Sequence, residues 1–72
     1  MKSLNLDKYK MSSIYRGSNI LALDYNQAIP FLDYLKQKDE SITLITHKER
    51  IICKYIETKN GALYYEIIGL EV

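Results

Sequence analysis

Ile51-Ile-Cys-Lys-Tyr-Ile-Glu-Thr-Lys-Asn60-Gly61-Ala-Leu-Tyr-Tyr-Glu-Ile-Ile-Gly-Leu70 reads as two strands around a tight turn. Asn-Gly suits the two central positions of a type I′ turn. Both need positive φ, which Asn tolerates and Gly adopts freely. The arms, Arg50–Thr58 and Ala62–Leu70, are rich in Ile and Tyr, residues that fit a pleated surface.

A two-residue loop sets Lys59 opposite Ala62. Counted straight down the ladder, Glu57 then meets Tyr64, Tyr55 meets Glu66, Cys53 meets Ile68 and Ile51 meets Leu70. On the other face Thr58 meets Leu63, Ile56 meets Tyr65, Lys54 meets Ile67 and Ile52 meets Gly69. Neither face is plainly polar, whereas a one-sided antiparallel sheet alternates cleanly.

Working outward, Ile42–Thr46 is a β-branched run and His47–Arg50 a polar turn. A two-residue loop at Lys48-Glu49 would pair His47 with Arg50, Ile45 with Ile52, Leu44 with Cys53 and Ile42 with Tyr55. One sheet face then carries Ile42, Leu44, Ile51, Cys53, Tyr55, Tyr64, Ile68 and Leu70, with Glu66 as its awkward member. The other carries Ile45, Ile52, Ile56, Leu63, Tyr65 and Ile67, with Thr43, His47, Lys54 and Thr58 among them.

A helix precedes this meander. Asp24-Tyr25-Asn26 offers a start, with Asp24 or Asn26 as cap. Pro30 belongs in the first turn. Tyr25, Ala28, Ile29, Leu32 and Leu35 recur at helical spacing, and the pattern runs to about Lys38. The helix is expected to cover the first face. Before it, Met11–Tyr15 and Ile20–Leu23 flank the turn cluster Arg16–Asn19, suggesting a first hairpin. Residues 1–10 read as a loose arm.

The expected fold is one small α+β domain over residues 1–72. It packs one helix on an antiparallel sheet, in the order ββαβββ or βαβββ, with a C-terminal three-stranded meander. Seventy-two residues bury a thin core, and the single cysteine excludes an intrachain disulfide. Small domains without such staples often gain stability by oligomerising. A net charge of +1 exerts no long-range pull on nucleic acid or anionic membrane. No secretory signal or spanning run is visible, so a cytoplasmic setting and no membrane association are expected. Ile, Lys and Tyr abound while arginine occurs only at Arg16 and Arg50. Such usage fits an AT-rich source, a low-GC bacterium or one of its phages.

Catalytic and metal signatures are weak. His47 and Cys53 are the only residues of their kinds and fall on opposite faces of the ladder. A nucleophilic pair needs them within hydrogen-bond reach. A zinc site draws three or four ligands mainly from Cys and His. Asp33, Asp39, Glu40 and Glu49 read as solvated carboxylates. No enzyme activity, cofactor, metal or small-molecule substrate is expected.

The apolar second face suggests a protein-interaction surface built from Ile45, Ile52, Lys54, Ile56, Leu63, Tyr65 and Ile67. Monomers rarely leave such a patch open. Its expected cover is the N-terminal arm or first hairpin, a second copy in a homodimer, or another protein. The leading functional expectation is a small inhibitor or regulator of a larger protein, of the kind a phage or mobile element encodes. The alternative is a single-stranded nucleic-acid module. It would stack bases on Tyr55, Tyr64 and Tyr65, with Arg50 and Lys54 for the backbone.

Overall fold

The computed structural model describes residues 2–71. The chain forms β1 (Ser3–Asn5), β2 (Ser13–Arg16), β3 (Ile20–Asp24), a broken helical segment, then β4 (Ile42–Ile45), β5 (Arg50–Lys59) and β6 (Ala62–Glu71). The helical segment comprises α1 (Tyr25–Ala28), a 3-10 turn (Ile29–Phe31) and α2 (Leu32–Leu35). All six strands join one mixed, curled sheet, in the order β1-β4-β5-β6-β3-β2. The coarse class is therefore α+β. The element order βββαβββ replaces the two orders expected from sequence.

Asn60 and Gly61 have φ of 51° and 76°, as a type I′ turn requires. The first three pairs follow the straight count: Lys59 with Ala62, Thr58 with Leu63, Glu57 with Tyr64. The count then breaks. Tyr55 pairs with Tyr65, Lys54 with Glu66 and Cys53 with Ile67, leaving Ile56 as a bulge residue. A second irregularity leaves Ile68 over on β6, and Ile52 regains Gly69 as Ile51 regains Leu70.

The physical reason lies in sorting. A straight ladder would set Lys54 beside Ile67, on the face that carries Tyr65. The paired bulges turn Lys54 outward and admit Cys53 and Tyr55 instead. Leu63 and Tyr65 are fully buried, and Ile67 is partly buried against the core. The expectation that these three line an open face is thus overturned. Ile68 and Leu70, expected beneath the helix, are about half exposed. Glu66 is exposed opposite Lys54, so it is not an inward residue.

The β4–β5 connection also differs. Ile42 pairs with Cys53, Thr43 with Ile52, Leu44 with Ile51 and Ile45 with Arg50. That is a slip of two residues from the expected pairing, which preserves every face. The loop is longer because Thr46 organises it. Its hydroxyl accepts from Lys48 N and Glu49 N, both at 3.2 Å, and its own N–H donates to Glu49 O at 2.9 Å.

Residues 3–5 are no loose arm. β1 pairs in parallel with β4, with Leu4 beside Leu44. Leu4 and Leu6 are buried, and Leu6 N donates to Ile45 O at 2.8 Å. The β2–β3 hairpin forms as expected, and β3 inserts beside β6. It brings Leu23 to Leu63 and Leu21 to Tyr65.

The helical segment is shorter than its pattern and ends at Leu35. Asp24 occupies the cap position with φ −69° and ψ 126°, but its side chain makes no capping bond. Tyr25 N instead donates to Gly61 O at 2.9 Å, tying the helix start to the hairpin turn. Pro30 lies beyond the first turn, where its missing N–H breaks the α-helical ladder into a 3-10 turn. The break rotates the stripe: Ala28 and Leu35 are buried, while Ile29 is 53% exposed. One core results, joining Leu4 and Leu6 to Leu21, Leu23, Leu35, Leu44, Cys53, Leu63 and Tyr65. Among the described residues, no helix is long and apolar enough to cross a membrane.

Candidate functional site

The fold divides the residues singled out in the sequence. Ile52 and Ile45 are half-buried, Lys54 is exposed and Ile56 is 37% exposed, whereas Leu63 and Tyr65 lie in the core. The nucleic-acid set splits too. Arg50, Lys54 and Tyr64 share the outer side, and Lys59 Nζ stands 5.5 Å from the Tyr64 ring centre. Tyr55 and Tyr65 face inward, their rings 5.8 Å apart and edge-on. The Tyr65 hydroxyl donates to Leu35 O at 2.5 Å, and the Tyr55 hydroxyl shares a 2.6 Å bond with Thr58 Oγ1. Tyr65 is fully buried and offers no face to a stacked base, while Tyr55 is only partly buried.

His47 and Cys53 are likewise separated by environment. His47 sits in the exposed β4–β5 turn, its Nδ1 2.9 Å from Asp7 Oδ2. Asp7 also accepts from His47 N at 2.6 Å, and these two bonds hold its carboxyl below the ordinary value. Cys53 is buried, its thiol donating to Ile42 O at 3.6 Å, and burial pushes its pKa up to about 12. The thiolate is the reactive form. Native protein at mildly alkaline pH is therefore expected to react with a disulfide reagent only as fast as the core opens. Thiol-release kinetics against denaturant would check this, and reaction as fast as a free cysteine would contradict it. Among the described residues, no three His, Cys, Asp or Glu side chains gather as metal ligands.

The concave apolar surface lies elsewhere, where the helix break meets the N-terminal segment. An open groove of about 610 Å³ is floored by Leu4 and Leu32 and walled by Tyr9, Phe31 and Tyr34, with Ile29 and Pro30 at its rim. Ser3 and Asp33 supply polar lining. Pro30 creates this site by exposing Ile29, as described above. Tyr9 and Phe31 pack at 4.8 Å with their planes at 59°. Tyr34 fastens the helix to β1: its hydroxyl donates to Ser3 O at 2.9 Å and accepts from Ser3 N at 3.0 Å.

Cations border the groove on two sides. Lys2 Nζ lies 5.0 Å from the Tyr34 ring centre and Lys8 Nζ lies 5.5 Å from that of Tyr9. Lys2 is also anchored to Glu40 at 3.4 Å and to Gln37 at 3.0 Å. Tyr9 is 45% and Tyr34 38% exposed, so with Ile29 the rim offers three large side chains to solvent. The sequence does not mark this site, because Tyr9 lies in an N-terminal segment whose apolar residues have no regular spacing. The available signal was Phe31 and Tyr34 flanking the helix stripe beside Pro30. A second, smaller cleft lies under the His47 turn, where Arg16 pairs with Glu49 at 3.4 Å.

No known protein family matches the chain, and no curated protein matches it by sequence.

Proposed function

We propose that this chain is a non-enzymatic protein-interaction module, a small inhibitor or regulator that grips a larger protein through the helix-break groove. The observation that carries the reading is the groove itself. It is concave, lined mainly by apolar and aromatic side chains, and rimmed by exposed Tyr9, Ile29 and Tyr34. Aromatic anchors around a pocket are the usual seat of binding energy at protein interfaces. Ser3 and Asp33 supply the polar lining that would orient a partner, with Lys8 beside Tyr9.

The test is affinity capture from the source cells with tagged wild-type chain beside Ile29→Glu. Ile29 is over half exposed, so the variant is expected to fold, as circular dichroism would verify. Burying an isoleucine stabilises by about 1.5–3 kcal/mol, so recovery of a true target is expected to fall at least about tenfold. Equal recovery by both chains, or no protein recovered, would remove the groove as the binding surface.

A further inference from the structure

The outer side of the β5–β6 hairpin carries an ordered pattern of charge that the groove does not use. On β5, Arg50 and Lys54 point outward, and on β6 their register partners are Glu71 and Glu66. All four are exposed. Directly opposite residues on paired strands have Cβ atoms about 5 Å apart, near enough for opposite charges to pair. Yet among the described residues none of the four makes an ion pair. Between the two charge rows lies an apolar step. Ile52 faces Gly69, and a Cβ at position 69 would stand 3.2 Å from Ile52 Cδ1, so glycine lets that side chain lie flat across β6.

The arrangement is self-complementary. Consider a two-fold axis parallel to the strands, lying above the seam between β5 and β6. It lays β5 of one copy over β6 of the other at the same height. Each cation then stands over a carboxylate, with the flat Ile52–Gly69 steps meeting between them. Face-packed sheets lie about 10 Å apart, a gap that an extended lysine and glutamate span together. A two-fold interface makes every contact twice.

We propose that the β5–β6 crest is a self-association surface that takes a second copy of this chain. Arg50 and Lys54 meet the partner's Glu71 and Glu66. The curl limits contact to that crest. Four charged residues and one apolar step per copy make a contact smaller than the about 800 Å² per partner of a standard interface. The dimer is accordingly weak and salt-sensitive, with a Kd in the micromolar range or above.

Sedimentation equilibrium at low ionic strength, to protein concentrations of about 1 mM, tests this directly. Wild type is expected to dimerise and to dissociate as salt rises. Lys54→Glu sets two acids against each other twice per dimer, and Glu66→Lys does the same with two bases. Each variant alone is expected to lose self-association by at least about a hundredfold. An equimolar mixture of the two is expected to restore it, because each chain then opposes the other's altered charge. Both positions are exposed, and the mixture shares any within-chain effect of either change, so recovery on mixing isolates the contact between copies. A monomeric wild type, single variants that dimerise like wild type, or a mixture that stays monomeric would each overturn the proposal. Ile29→Glu leaves this equilibrium unchanged, so failure here is distinguishable from failure of the groove.

Discussion

Tyr65→Ala is expected to leave the chain largely unfolded at room temperature. Tyr65 is the largest of the fully buried side chains and stands at the centre of the sheet, paired to Tyr55 on one side and Leu21 on the other. Truncating such an aromatic costs about 3–5 kcal/mol. A core this small rarely supplies more than about 3–5 kcal/mol of net stability, so nothing is left over. Tyr65→Phe separates the two parts of the effect. It keeps the ring and removes only the 2.5 Å bond to Leu35 O, which holds the helix end to the sheet. Its expected cost is about 1 kcal/mol. Urea unfolding followed by circular dichroism measures both. If Tyr65→Ala unfolds at the wild-type urea concentration, the tyrosine is not the keystone its burial indicates.

Leu6→Ala is expected to cost about 2–5 kcal/mol, the range for emptying a buried leucine site. Leu6 is 2% exposed. Its N–H donates to Ile45 O, and its carbonyl accepts from Met11 N at 2.9 Å. The residue therefore closes the loop that carries the chain from β1 towards β2. Losing its side chain is expected to strip hydrogen-exchange protection from the amides of Leu6 and Met11 before the rest of the sheet opens. A freely moving arm would show no change in stability and no protected amide. That outcome would return residues 3–6 to the role first read from the sequence.

Some of this architecture was legible. Asn60-Gly61 set the turn, and Arg16–Asn19 between the alternating Met11–Tyr15 and the apolar Ile20–Leu23 marked the first hairpin, because turn chemistry is local. β1 left only the alternation of Leu4 and Leu6. Its partner β4 is some forty positions away, and a parallel pairing of three residues leaves no mark of its own in the sequence. The helix stripe was sound in type but not in phase, since Pro30 interrupts the α-helix after Ala28. That interruption made Ile29 a rim residue and created the groove. The bulges were hidden for a different reason: any straight count of two equal arms closes without error. The clue was chemical. The straight count put Lys54 on the face of Tyr65 and Ile67 and Glu66 on the face of Cys53 and Tyr55, so the mixed polarity of both faces came largely from one shifted block.

The two bulges can be stated in the language of reading frames. Alternation along a strand is a code with a period of two, and Ile56 is an insertion that shifts the frame of β5 against β6. Ile68 is its suppressor. With Ile68 in ordinary alternation, Gly69 would fall opposite Ile51 and Leu70 opposite Arg50. Its insertion returns Gly69 to Ile52 and Leu70 to Ile51. Because both ends of the hairpin share one frame, only the middle block is shifted, and that block decides whether lysine or tyrosine faces the core. Neither isoleucine belongs to the inward or outward set, so the two together are spare letters. A chain lacking both would keep every other residue on its present face and give up only the local bend.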